Sequence, residues 1–205
     1  MKLELKLWPD PILKKQCSDV DPTDPEILPI IDRMVAFMFA HQGRGLAAPQ
    51  IGLDWNMFVV SLGDNQEPRV IVNPEMFVDE DTEIVATEEG CLSIPGIKAK
   101  LNCRFKAVNI VCSKPKSHDV IAVTLYGDEA ITFQHEYDHL QGITIFDRMG
   151  PTQRMMAKKK YDKLVKKYSQ LTTMMQNADR KVINPDLNQV LQNIKNNIKG
   201  ENTNE

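Results

Sequence analysis

The segment QHEYDHLQG contains an H-E-x-x-H pattern, formed by His135, Glu136 and His139. Two imidazoles four residues apart lie on one face of an α-helix, where they can bind a single metal ion. In this pattern the intervening Glu lies where it can act on a water molecule that the metal activates. The pattern therefore indicates a hydrolytic metal site, although the same spacing also occurs on solvent-exposed helices that bind nothing.

Cys91, in the segment EEGCLSIPG, is a candidate for the third ligand of such a metal. It follows Gly90 in an extended, proline-bounded segment, where a strand edge can present a thiolate and the N–H of Leu92 stays free. Two histidines and one cysteine would leave an open coordination position, as a catalytic site requires. The alternative is that Cys91 is a small buried apolar residue, the role that we assign to Cys103 and Cys112.

The segment GRGLAAPQIG, residues 43–52, combines two glycines around Arg44 with small apolar residues. Such a loop lets the backbone approach a ligand closely, and the Gln50 amide at its end can donate a hydrogen bond to an oxyanion. The alternative is an ordinary turn between a helix and a strand. The loop lacks the G-x-x-x-x-G-K-[ST] pattern, so we exclude a nucleotide-binding P-loop here.

The elements that must position these residues follow from hydrophobic periodicity. A first helix is predicted in DPTDPEILPIIDRMVAFMFAHQG, with Asp24 as its cap and Gly43 at its end. A second helix, from Asp128 to Leu140, carries the H-E-x-x-H pattern. Four β-rich runs between them predict strands over residues 57–62, 69–74, 107–112 and 120–126. This order indicates an α+β fold, with mixed, mostly antiparallel strands around a central metal-binding helix.

The composition is that of an ordinary globular protein, with 42% hydrophobic and 26% charged residues in 205. No stretch approaches the ~20 apolar residues that span a bilayer, and the N-terminus lacks the apolar run of a secretory signal. The four cysteines have no C-x-x-C pair and are expected to be reduced thiols. We therefore expect a cytoplasmic protein, with neither a membrane nor DNA as its partner.

The segments GRGLAAPQ, EGCLS and HEYDH resemble the three signature motifs of the peptide deformylases, in the same order and at compatible separations. The opening segment WPDPILKK is similar to the N-terminal segment of that family. The resemblance implies a hydrolase that removes the N-formyl group from the N-terminal methionine of newly made polypeptides and releases formate. It also implies one divalent metal ion, Fe²⁺ in the cell, with Zn²⁺ or Ni²⁺ as a replacement in purified protein.

The positions of the three motifs indicate which residues of this chain correspond to the site residues of the family. The resemblance implies Cys91, His135 and His139 as metal ligands and Glu136 as the catalytic acid and base. The Gln50 amide and the Leu92 N–H would stabilise the oxyanion. The substrate peptide would pair with the backbones of Gly43, Arg44, Gly45 and Gly90.

Four positions in or near these motifs leave alternatives open. Family members usually carry an aliphatic residue where this chain has Arg44, which bears on the substrate groove more than on the chemistry. Ile131 and Phe133 are candidates for the lining of a methionine pocket, with core packing as the role of at least one of them. Asp138 is expected either to orient a basic partner such as Arg104 or to be a solvated carboxylate.

The chain divides by charge into an acidic part and a basic part. Residues 1–150 hold 14 Lys and Arg against 23 Asp and Glu, whereas residues 151–205 hold 11 against 5. We predict a catalytic domain over residues 1–150 and a helical, basic extension over residues 151–205. The extension would form one amphipathic helix from Pro151 to about Gln176, a second from about Pro185 to Gly200, and a frayed end. Either these helices pack on the catalytic domain, or the basic one docks on ribosomal RNA through its lysines, as some relatives with a basic C-terminal helix suggest.

Two other classes of function stay open at this point. A metallopeptidase could use the same helix to cleave ordinary amide bonds, and formate release from a formylated tripeptide would distinguish it from a deformylase. A non-catalytic binding protein could keep the fold, but this chain retains Glu136, Gln50 and every proposed metal ligand.

Overall fold

The computed structural model describes residues 3–61 and 67–177, and within residues 171–177 it describes the backbone alone. The helices are α1 (Ile27–Ala40), α2 (Gly127–Leu140), α3 (Ile145–Arg148) and α4 (Pro151–Asn177), with short 3₁₀ helices at Pro11–Lys14 and Ala48–Ile51. The strands are β1 (Gly45–Ala47), β2 (Met57–Val60), β3 (Arg69–Phe77), β4 (Ile84–Gly90), β5 (Lys98–Phe105), β6 (Ala107–Ser113) and β7 (Val120–Tyr126).

The strands form two antiparallel sheets. The larger sheet has the order β1-β2-β3-β6-β7, and the smaller one pairs β4 with β5. Helix α2 contacts strands of the larger sheet and also contacts β5 of the smaller sheet. The predicted α+β class and the central position of the H-E-x-x-H helix are therefore confirmed.

The predicted strands agree with the observed strands only in part. Strand β7 has its predicted bounds, β3 and β6 extend beyond theirs, and β2 ends at Val60 rather than continuing to residue 62. Strands β1, β4 and β5 were not predicted. β1 has only three residues, and β4 does not alternate regularly between polar and apolar residues. β5, with the sequence KAKLNCRF, does alternate, so its pattern was a signal that could have predicted it.

Helix α1 begins and ends differently from the prediction. Asp24 caps the preceding turn, since its side chain accepts the Glu26 N–H at 2.8 Å, and the helix begins at Ile27. At the other end Gln42, rather than Gly43, takes the left-handed conformation, with φ 54. The Gly43 N–H donates to the Met38 carbonyl at 2.9 Å, which is the closing bond of a Schellman motif.

The hydrophobic core fixes the surroundings of α2. All four residues of β2 are buried, and the predicted apolar stripe of α1 supplies four buried side chains, Ile27, Ile31, Met34 and Met38. A densely packed interior of this kind transmits small displacements and holds side chains in single positions. The loops around α2 are therefore attached to a rigid frame.

Helix α4 matches the predicted helix of residues 151–176 to within one residue. Its first half packs on the rest of the chain: the buried Tyr161 hydroxyl donates to the Trp8 carbonyl at 2.9 Å, and the Lys158 ammonium lies 4.8 Å from the Trp8 ring centroid. The predicted second helix and frayed end lie outside the described residues, and the division after residue 150 stays a prediction. No helix in the described ranges is long and apolar enough to cross a membrane.

Candidate metal centre

Cys91, His135 and His139 form one compact cluster of metal-binding atoms. One ligand atom from each side chain lies within 4.8 Å of the others, and Cys91 Sγ is 3.2 Å from His139 Nε2. Cys91 directly follows β4, and both histidines project from α2, so the small sheet and the central helix meet at this point. The donors are those that Zn²⁺ and Fe²⁺ accept, and three protein ligands leave a coordination position open.

The surroundings of Cys91 favour loss of its thiol proton. Burial raises the pKa of Cys91, but the charge of His139 and hydrogen bonds from both histidines outweigh burial and lower that pKa to about 5. Burial lowers the pKa of His135, yet its contacts with Cys91 and Glu89 hold that pKa well above its usual range. Because metal binding requires a thiolate, the site favours the protonation state of Cys91 that a metal ion needs.

Glu89 fixes the orientation of the His135 ring. The His135 Nδ1–H donates to Glu89 Oε2 at 2.8 Å, which leaves Nε2 as the nitrogen available to a metal. Arg104 in turn binds both oxygens of Glu89: its Nε donates to Oε1 at 2.8 Å and its Nη2 donates to Oε2 at 2.9 Å. Burial raises the pKa of Glu89, but the hydrogen bonds and the charge of Arg104 outweigh burial and hold that pKa well below its usual range.

Asp138 is the second buried carboxylate that binds Arg104. The Arg104 Nη1 donates to Asp138 Oδ2 at 2.7 Å, and Arg148 Nε donates to the same oxygen at 2.9 Å. Of the two alternatives for Asp138, pairing with Arg104 is the observed one. Sequence analysis missed Glu89 and Arg148. For Glu89, the signal was its position two residues before Cys91, but only the pairing of β4 shows that it is buried while Glu88 is exposed.

The Gln50 side chain points its amide nitrogen at the metal cluster. Its Oε1 accepts the Ala47 N–H at 2.8 Å, so its Nε2 faces the other way, 3.6 Å from Cys91 Sγ and 3.2 Å from Ser93 Oγ. Ser93, which is fully buried, was not singled out from the sequence. Within the described residues no acceptor engages the Leu92 N–H. Two hydrogen-bond donors are thus available beside Cys91.

Glu136 is a buried carboxylate that lacks a full set of partners. It is 4% exposed, its Oε2 has no hydrogen-bond partner among the described residues, and burial raises its pKa. It lies directly against Gly45, where a Cβ atom would come within 2.3 Å of Glu136 Oε1. A buried polar atom without a partner is costly, and this cost is typical of a reactive site.

A cavity of about 820 Å³ opens above the metal cluster. Nearly all predicted site residues line it, namely Gly43, Arg44, Gly45, Gln50, Gly90, Cys91, Leu92, Ile131, His135 and Glu136. His139 lies beneath the cavity floor and is 1% exposed. Phe133 is fully buried in the core instead, so of the two candidates for a methionine pocket only Ile131 faces the cavity.

Comparison with known proteins gives a consistent result. Residues 2–155 match the family model described as polypeptide deformylase. The peptide deformylase of Thermotoga petrophila is 38% identical over 157 residues, which are 76% of this chain and 92% of that protein. The peptide deformylase of Aquifex aeolicus is 37% identical, over 81% of this chain and 98% of that protein.

Solved structures show the same similarity. The crystal structure of a peptide deformylase from Legionella pneumophila has a TM-score of 0.71 and 34% identity, covering 80% of this chain and 95% of that one. The plant peptide deformylase PDF1B has a TM-score of 0.74 and 33% identity, covering 84% of this chain and 94% of that one.

Proposed function

The chain belongs to the peptide deformylase family, and from that premise we propose that Cys91, His135 and His139 hold its single divalent metal ion. The resemblance carried by the three sequence motifs is confirmed: the protein removes the N-formyl group from the N-terminal methionine of nascent polypeptides. The observation that carries the residue assignment is the compact Cys-His-His cluster beside the buried, partly unpaired Glu136 carboxylate.

The donor set fits such an ion. A divalent ion held by these three side chains would lower the pKa of a water molecule and would polarise a carbonyl group. We propose Fe²⁺ as the ion in the cell, with Zn²⁺ or Ni²⁺ as a replacement in purified protein, because thiolate and imidazole donors accept all three.

Glu136 is the proton carrier in this proposal. It takes a proton from the attacking water as the water oxygen bonds to the formyl carbon. It then gives that proton to the amide nitrogen as the C–N bond breaks, which yields formate and a free amino terminus. Burial raises the pKa of Glu136, which makes its carboxylate a stronger proton acceptor than an exposed one.

The Gln50 amide and the Leu92 N–H stabilise the negative charge that develops on the formyl oxygen. The bond from the Ala47 N–H orients the Gln50 amide before any substrate arrives, and its Nε2, which donates to Ser93 Oγ at 3.2 Å, exchanges that acceptor for the formyl oxygen. A donor of this type contributes about 2.7 to 4 kcal/mol to stabilisation of the transition state.

The substrate peptide lies between the two segments that flank the cavity. On one side are the backbones of Gly43, Arg44 and Gly45, and on the other side is that of Gly90 at the end of β4. An extended peptide can hydrogen-bond to such strand edges without any demand on its own side chains. Ile131 lines the pocket for the methionine side chain.

Formate release tests this function. The metal-loaded protein should release formate from formyl-Met-Ala-Ser and leave the unformylated Met-Ala-Ser intact. Cleavage of internal peptide bonds would instead indicate the metallopeptidase alternative. Metal analysis of the same anaerobic sample should give one ion per chain.

We also propose that the protein works in the cytoplasm and docks on ribosomes through exposed lysines of α4. Support comes from the charge of this helix, in which Lys159, Lys163, Lys166 and Lys167 are all exposed. Lysine clusters bind phosphate backbones with a strong dependence on salt. Co-sedimentation with ribosomes should fall between low and moderate salt and after replacement of these lysines by Gln. If the wild type and the variant with these lysines replaced by Gln bound ribosomes equally, docking through α4 would be refuted.

A further inference from the structure

Lys160 is a cation of α4 that lines the same cavity as the metal cluster. The other cations on the cavity wall have carboxylate partners: Arg44 lies 3.9 Å from Asp128, and Lys98 lies 3.6 Å from Glu88. Lys160 makes no salt bridge with any carboxylate in residues 3–61 or 67–177. Lys160 therefore contributes a positive charge that no carboxylate of the described residues pairs with.

A second cavity, of about 410 Å³, continues from Lys160 along α4. Among the described residues it is lined by Met156, Lys159, Lys160, Lys163, Leu164 and Lys167, and we call it the α4 groove. These positions follow helical spacing and so lie on one side of the helix. Met156 and Leu164 provide apolar surface, and four ammonium groups surround it.

Close packing holds the α4 groove beside the active-site cavity. Leu164 Cδ1 lies 2.8 Å from where a Cβ atom of Gly96 would be, and Gly96 lines the active-site cavity. The buried Tyr161 anchors the same turn of α4. Lys160 lines both cavities, so the α4 groove and the active-site cavity adjoin at this side chain.

We propose that the substrate polypeptide leaves the active-site cavity over Lys160 and continues into the α4 groove. The enzyme then favours acidic and apolar residues downstream of the formylmethionine and disfavours basic ones. This inference rests on the proposed deformylase function. We assign the substrate polypeptide to the α4 groove because the groove adjoins the active-site cavity. An acidic segment would pair with the lysines, while its apolar side chains would cover Met156 and Leu164.

The length of the groove sets the part of the substrate that it contacts. The helix rises about 10 Å from Lys160 to Lys167, which corresponds to about three residues of an extended peptide. A tripeptide substrate ends before this region, so peptides of seven or eight residues are needed to reach it.

The test compares two formylated peptides on the full-length, metal-loaded enzyme. Both begin with formyl-Met-Ala-Ser, and one continues with four Glu whereas the other continues with four Lys. Two exposed ion pairs should give the acidic peptide a kcat/KM about fivefold higher. The preference should appear mainly in KM and should shrink as salt is added, because exposed charges are screened.

Charge reversal in the groove provides the matched comparison. Lys163→Glu should abolish or invert the acidic preference, and Lys160→Glu should do the same. Lys166→Glu makes the same charge change on the same helix outside the groove, and should keep the wild-type ratio. Equal kcat/KM for both peptides in the wild type, or the same ratio in Lys163→Glu and Lys166→Glu, would overturn the inference. Absence of formate from every peptide would instead refute the proposed function.

Discussion

Replacement of Gly45 by Ala is a direct test of the position of Glu136. A Cβ atom on Gly45 would lie 2.3 Å from Glu136 Oε1, 2.5 Å from Cδ and 2.6 Å from Cγ. The backbone of Gly45 is fixed by its pairing with Val60 in the larger sheet. Its φ lies outside the left-handed region, so Ala can adopt this backbone without strain. The three atoms nearest to the added methyl group all belong to the Glu136 side chain, so the steric conflict within the protein is with that side chain.

The size of the effect follows from these distances. Non-bonded carbon atoms reach optimal contact at about 3.5 to 4.0 Å, so the carboxylate must move by roughly 1 Å. A displacement of this size in a catalytic group costs about 100-fold in rate, equivalent to about 2.7 kcal/mol in the activation barrier. We expect Gly45→Ala to lower kcat/KM by about this factor.

The assay measures formate release from formyl-Met-Ala-Ser together with metal content. Gly45→Ala should retain one metal ion per chain, because the crowded atoms belong to Glu136 and not to the metal ligands. Gly150→Ala is the matched control, since no atom lies within 4 Å of the position of its Cβ. A fully metal-loaded Gly45→Ala enzyme with nearly wild-type kcat/KM would refute the catalytic assignment of Glu136.

Four further predictions concern the same site. Glu136→Ala should keep its metal and lose about 10²- to 10⁴-fold in kcat; substantial residual formate release would exclude Glu136 as the proton carrier. Cys91→Ala should lose metal by elemental analysis, and an unchanged stoichiometry would remove Cys91 from the ligand set. Anaerobic reconstitution with Fe²⁺ should give higher activity than reconstitution with Zn²⁺, and an equal or greater activity with Zn²⁺ would count against iron. Glu89→Gln should lower the free energy of unfolding in urea by about 3 kcal/mol, because Arg104 loses one of its two buried anions and keeps only Asp138. Since the pKa of Glu89 is lower in the folded chain than its ordinary value of 4.5, wild type should lose this advantage as the pH falls below that value; a difference independent of pH would contradict the pairing.

The sequence could predict the parts of the site that depend on local pattern. The two histidines and Glu136 follow from helical spacing, and the bounds of α2 lie within one residue of the prediction. The position of Cys91 beside them depended on family motifs, because nothing local shows that β4 and α2 meet. The irregular pattern of β4 gave no strand signal, whereas the alternation in β5 did; these two strands carry Glu89 and Arg104. Nothing in the sequence indicated a role for Lys160 at the site, and only the packing of α4 near Gly96 brings it to the cavity.

Helix α2 carries several buried polar side chains, and most of them have hydrogen-bond partners elsewhere in the fold. A helix that buries several polar side chains is stable only if those groups find hydrogen-bond partners. Gln134 binds the Phe105 N–H at 2.9 Å and the Phe105 carbonyl at 2.8 Å, which ties α2 to the end of β5. Asp138 and His135 are likewise held, by Arg104 and Glu89 respectively.

Within the described residues, the buried polar side-chain atoms of α2 without a partner are Glu136 Oε2 and His139 Nδ1. Both belong to residues of the metal centre, and neither is needed to hold the helix in place. The paired groups thus secure α2 independently of the chemistry. Glu136 remains free to exchange a proton, and Gly45, which has no side chain, gives it the space to do so.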